Sequence, residues 1–160
     1  MASESSREML RHTVATLAYR GGKAIAKVPQ DFSAFRPTET SRTAGEILAH
    51  IGDLLDWALR LAKGEYAYKE IAPQSWDEDA ARFFAALKEL DSYLASDAPL
   101  GSPAEKVFQG PIADALTHVG QIAVFRRIAG APMRGENYFV AEIVKGRVGK
   151  EQSAKRQEFD

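Results

Sequence analysis

The chain has 160 residues, of which 45% are hydrophobic and 27% charged, and its formal net charge is −1. That length suits one domain around one core, and the balance excludes wholesale disorder. Lys and Arg are scattered among acids, which argues against a nucleic-acid-binding face; cysteine is absent, which excludes disulfides, thiolate metal sites and cysteine nucleophiles.

Any metal must therefore be held by nitrogen and oxygen donors. The segment Met1-Ala2-Ser3-Glu4-Ser5 has no basic stretch followed by an apolar run, so no signal peptide is expected. No apolar stretch is long enough to cross a bilayer. The expected location is the cytoplasm, with no membrane and no nucleic-acid partner.

Helical periodicity dominates, and the chain reads as a single all-α domain over 1–160. The bundle occupies about 6–130, and an irregular C-terminal tail follows over 131–160. Helix one is expected from Ser6 to Lys27, where Leu10, Val14, Leu17, Gly21, Ala24 and Ile25 recur at helical spacing. Pro29 ends it, and Pro29 to Ser41 reads as a connector. Helix two opens with the capping box Thr43-Ala44-Gly45-Glu46, in which each of the two outer side chains satisfies the other's backbone amide. It runs to Lys63, where Gly64 is a natural left-handed stop.

A second capping box, Ser75-Trp76-Asp77-Glu78, starts helix three, whose stripe is Trp76, Ala80, Phe83, Phe84, Leu87, Leu90 and Leu94. Pro99 and Gly101 close it. Ser102-Pro103-Ala104-Glu105 suits one short turn of helix. Helix four is expected from Pro111, a residue favoured at the first helical position, to Ala129, with Gly130 as its stop. It is apolar nearly all round, as central or subunit-contact helices are. In the tail, Tyr138, Phe139, Val140, Ile143 and Val144 can pack on the bundle or on a partner, and the residues from Lys150 read as solvated and frayed.

Function turns on three histidines. At about 100° per residue, His12 falls opposite the apolar stripe of helix one and should face solvent. His50 lies inside the apolar arc of helix two formed by Ile47, Leu48, Ile51, Leu54, Leu55, Trp57, Ala58 and Leu61. An inward imidazole needs a partner, and two readings are open: a neutral histidine hydrogen-bonded to a buried group, or a metal ligand. His118, in the middle of helix four, has Asp114 one turn before it and Gln121 one turn after, on one face. The pair Asp114/His118 is either a simple polar pair on a partly wet face or two ligands of a divalent cation, which would compensate both. Bundle cores build metal sites from facing helices, and this joins His50 to Asp114 and His118.

The stretch Thr43-Ala44-Gly45-Glu46-Ile47-Leu48-Ala49-His50-Ile51-Gly52-Asp53, with Thr117-His118-Val119-Gly120-Gln121-Ile122, resembles the DinB/YfiT-like family of small metal-binding four-helix bundles. The likeness extends from helix one to Arg126-Arg127-Ile128-Ala129-Gly130 and includes Gly146-Arg147-Val148-Gly149. It implies a divalent metal held by one histidine on the second helix, matched by His50, and a histidine pair on the fourth. His118 matches the second of that pair, whereas Asp114 stands where the family has histidine. The resulting set of two histidines and one carboxylate suits zinc first, with nickel, manganese or iron as alternatives.

The resemblance also implies a homodimer and a thiol-dependent S-transferase or related activity on a small molecule, using a low-molecular-weight thiol. Gln121 is the candidate for orienting substrate or ligands, and Glu46, one turn before His50, is a candidate base or fourth ligand whose other role is closing the capping box. Two other readings stand beside the enzyme. The protein can be a non-catalytic dimeric binding or stress-response module with a structural metal site, or a non-haem iron oxygenase using a facial triad.

Overall fold

The computed structural model describes residues 4–160; the start of the N-terminal segment, where no leader is expected, lies outside the described residues. Four long helices make the fold: α1 (Glu4–Ile25), α2 (Ala44–Ala62), α3 (Trp76–Ala95) and α5 (Ala113–Ile128), the last preceded by a four-residue helix, α4 (Ala104–Val107). A two-stranded antiparallel ribbon, β1 (Gly135–Glu136) with β2 (Glu158–Phe159), lies in the tail. The chain is all-α in a four-helix arrangement, as the periodicity predicts, and no helix among the described residues is long and apolar enough to cross a membrane.

The helices are not packed in sequence order. α2 lies against α3 and α5, and α1 lies against α3 and α5, so α1 and α2 are diagonal partners, as are α3 and α5. The connector from α1 to α2 must therefore cross the end of the bundle. It does so on a 3₁₀ turn, Phe32–Ala34, that buries Phe32 edge-to-face on Trp76 at 5.3 Å between ring centroids. Leu17, Ile47, Leu48, Ile51, Leu55, Phe83, Leu87, Leu90 and Ile112 are fully buried between the helices and form the shared core. Both capping boxes are present: Thr43 with Glu46 starts α2, and Ser75 with Glu78 starts α3. α2 stops where expected, with Gly64 in the left-handed region at φ +85°.

Two arginines satisfy helix C-termini across the bundle. Arg7 donates to the carbonyl oxygens of Leu94, in the last turn of α3, and of Ser96, just beyond it, and also to that of Ala98. Arg126, in the last turn of α5, is buried despite its charge. Its Nη1 donates to the Ala24 and Ala26 carbonyls at 2.9 and 2.8 Å, meeting orphan acceptors at the end of α1.

The fourth helix differs from expectation. It is helical from Ala104, and Pro111 lies inside it within a π-turn, Phe108–Ile112, rather than at its first position. A proline inside an α-helix removes one hydrogen bond and clashes with the preceding turn; the wider turn makes room for the ring. Nor is α5 apolar all round its surface. Thr117, Gly120, Gln121 and Val124 are exposed on one side, while Ala115, Val119, Ile122 and Arg126 are buried on the other.

The tail end is pinned rather than frayed. Gly135 pairs with Phe159 and Glu136 with Glu158. Buried Tyr19 donates to Glu136 at 2.7 Å, and Lys23 bonds Glu158 at 2.9 Å. Phe139 remains almost fully exposed.

Candidate metal centre

His50 and His118 come from helices that pack directly on one another, α2 and α5. Their rings meet edge-to-face at 4.7 Å between centroids. Asp114 lies one turn before His118, with Oδ1 3.3 Å from His118 Nδ1 and Oδ2 3.9 Å from His50 Nε2. One donor atom from each of the three lies within 4.8 Å of the others, so the group can hold a single metal ion. His12, by contrast, is exposed.

The hydrogen bonds around the rings decide which nitrogens are available. His118 Nδ1 is 2.7 Å from the main-chain carbonyl oxygen of Asp114. A carbonyl only accepts, so Nδ1 carries the proton and Nε2 carries the lone pair. His50 Nδ1 lies 3.2 Å from the Tyr68 hydroxyl. When Nδ1–H donates to that oxygen, His50 Nε2, the nitrogen facing Asp114, is likewise free to bind a cation. Burial holds the His50 pKa below the ordinary imidazole value, and the neighbouring His118 and Arg42 lower it further. Burial also raises the Tyr68 pKa, aided by Asp53 and Glu70, so the phenol keeps its proton at neutral pH. Two neutral imidazoles and a carboxylate make a donor set that fits a borderline divalent ion.

Tyr68 is the residue sequence reasoning missed. It belongs to the coil between α2 and α3, where no periodicity marks an inward position, and three anchors hold that coil. Ile71 donates its amide to Asp53 at 3.2 Å, Gln74 donates its amide to Asp79 at 3.0 Å, and Trp57 packs edge-to-face on Tyr68. Asp53 in turn is buried and bonded by Arg82 at 2.7 Å, and the same guanidinium reaches Asp56 at 2.5 Å and the Ala49 carbonyl at 3.2 Å. Arg82 lies flat on α2 because position 52 is glycine: a Cβ there would be 2.9 Å from Nη1. The pattern Gly52-Asp53 thus docks the coil that delivers Tyr68 to His50.

The other two candidates are placed differently. Glu46 is committed to the cap, its carboxylate accepting the Thr43 amide at 2.7 Å. It nonetheless lines a cleft of about 240 Å³ on the His50 side of α2, together with Arg42, Asp53 and Glu70. Gln121 is exposed one turn beyond His118 on α5. Compared with family models, with curated proteins and with solved structures, the chain matches none.

Proposed function

We propose that this chain is a metal-dependent enzyme of the DinB/YfiT-like kind, a cytoplasmic homodimer that acts on a small electrophilic molecule as a thiol-dependent S-transferase or as a hydrolase. The observation that carries the reading is the convergence of His50, Asp114 and His118 donors within 4.8 Å across two packed helices. A divalent cation, zinc before nickel, manganese or iron, would supply Lewis acidity and lower the pKa of a coordinated thiol or water.

The protein's own part is to present the donors and to hold His50 unprotonated, its pKa lowered chiefly by burial. Tyr68 and the Asp114 carbonyl each occupy one ring nitrogen and leave the other for the cation. Asp114 contributes negative charge, and its side chain is 47% exposed, so the cluster opens to solvent on that side. An open three-donor set suits chemistry better than a purely structural role, which favours a closed tetrahedral shell. Gln121, exposed one turn beyond His118, would orient the bound molecule, while Glu46 would have to leave its cap to act as a base.

Elemental analysis of the purified chain after reconstitution tests the reading. One equivalent of divalent metal is expected, with loss on His50→Ala or Asp114→Ala while the helical circular dichroism persists. Absence of metal from the reconstituted wild type sinks the proposal. Unfolding of the wild type by chelator alone would favour the structural-metal module instead.

A further inference from the structure

The cleft beside His50 carries a charge pattern that the metal cluster does not use. Its acids are mostly committed: Glu46 to the Thr43 amide and Asp53 to Arg82 and the Ile71 amide. Arg42 is different. It is exposed, and among the described residues its guanidinium has no ion pair and no hydrogen bond, yet it shares the cleft with His50. Nor does it serve the helix: it stands just before the α2 cap, where the helix dipole offers a cation nothing. Glu70, on the coil side of the same cleft, is the one other charge there with neither an ion pair nor a hydrogen bond among the described residues. At about 240 Å³ the cleft is smaller than a drug-sized pocket.

We infer that Arg42 recognises a carboxylate on a small substrate whose other end binds at the His50–Asp114–His118 cluster, which makes Arg42 the specificity-determining residue of this site. The inference rests on the metal reading above. A guanidinium offers a planar pair of donors that matches a carboxylate, and Arg42 lines the same cleft as His50, itself a member of the cluster. Glu70 opposes an anion and therefore sets the sign of a second variant.

The full chain is loaded with cobalt(II) and titrated with 3-mercaptopropionate and with its neutral carboxamide, since a thiol on cobalt gives a charge-transfer band that reports binding. The preference for the carboxylate is read against Arg42→Gln, so that the different acidity of the two thiols cancels. The wild type is expected to favour the carboxylate by about tenfold more than Arg42→Gln does, the size of one partly solvated charge-assisted bond. Arg42→Gln keeps its cobalt, and Glu70→Gln widens the preference. Equal preference in the wild type and Arg42→Gln overturns the assignment, as does cobalt uptake without any thiol band. A chain that takes up no cobalt overturns the metal reading, and this one with it.

Discussion

The main-chain carbonyl of Asp114 fixes the proton of His118. Nδ1 lies 2.7 Å from that oxygen, one helical turn away, so Nε2 is left as the lone-pair nitrogen before any ligand arrives. The Asp114 side chain can therefore change without disturbing the tautomer, because the orienting acceptor is backbone. Asp114→His should keep one equivalent of metal, since the half-exposed position leaves room for an imidazole. It should also move the preference from manganese or iron toward zinc or nickel, as a nitrogen replaces a hard oxygen. Competition between manganese and zinc, measured on both proteins, checks this; an unchanged preference would mean that Asp114 is not a ligand.

Tyr68→Phe removes the hydroxyl that meets His50 Nδ1 at 3.2 Å. Partners of that kind are worth roughly 10–100-fold in metal affinity. The lower end is expected here, because a neutral phenol polarises imidazole less than a carboxylate does. The Trp57 ring contact survives in the variant, so the melting temperature of the metal-free protein should hardly move. Calorimetric titration with zinc, paired with a thermal melt, separates the two effects.

Metal affinity should fall as the solution is acidified, because each imidazole must be neutral to bind. His50 has its pKa lowered chiefly by burial. Its folded pKa lies below the unfolded value, so the unfolded chain binds the proton more readily. The metal-free protein should then lose stability as pH falls through about 6.5, the unfolded histidine value, with the loss complete only below the depressed folded pKa. His50→Gln should flatten that part of the stability profile. Denaturant melts of both proteins between pH 7.5 and 5 measure the slope, and identical slopes would contradict it.

The helices with self-contained signals were the legible ones. Thr43 with Glu46 and Ser75 with Glu78 each close a local circuit of hydrogen bonds, so a few residues suffice to announce the helix start. The inward aim of His50 and His118 follows from angular position, and Asp114 shares the His118 face by its one-turn spacing, which is why all three cluster members are legible without any tertiary information. What escaped depends on contacts distant in sequence. Arg126 ends one helix but bonds the carbonyl of Ala24, 102 residues earlier. Tyr68 lies in coil and acquires its place through the contacts of that coil with Asp53, Asp79 and Trp57. Pro111 carries a strong local preference for a first helical position, and the π-turn overrides it because helix continues on both sides.

Gly52→Ala tests the docking of that coil from beneath. The new Cβ would lie 2.9–3.0 Å from the Arg82 guanidinium, the flexible end of a long side chain, which has to shift to make room. Arg82→Met removes the guanidinium altogether and leaves Asp53, buried at 4% exposure, only the Ile71 amide. Stranding a buried carboxylate costs about 3 kcal/mol or more, so a loss of that order is expected for Arg82→Met in denaturant melts. Gly52→Ala should cost less, because the guanidinium can yield and keep part of its bond to Asp53. Tyr68 fluorescence is overshadowed by tryptophan, so proteolysis within 64–75 is the better local readout, and both variants should be cut faster there.

Asp79 makes the opposite case, a buried carboxylate that costs stability at neutral pH. It is 2% exposed, and burial raises its pKa even though the Gln74 amide and Arg82 pull the other way. The folded state thus holds its proton more tightly than the unfolded chain. That contribution is fully present below the unfolded aspartate value of about 4 and is lost as pH rises through the raised folded pKa. Asp79→Asn keeps an oxygen for the Gln74 amide at 3.0 Å and carries no charge to desolvate. The variant should melt higher than the wild type at pH 7.5, and the gap should close as the solution approaches pH 4. Because α3 keeps Asp77 and Glu78 in its first turn, the helix dipole stays compensated. A variant less stable than wild type at neutral pH would show that the Asp79 charge is held by Arg82 more strongly than burial opposes it.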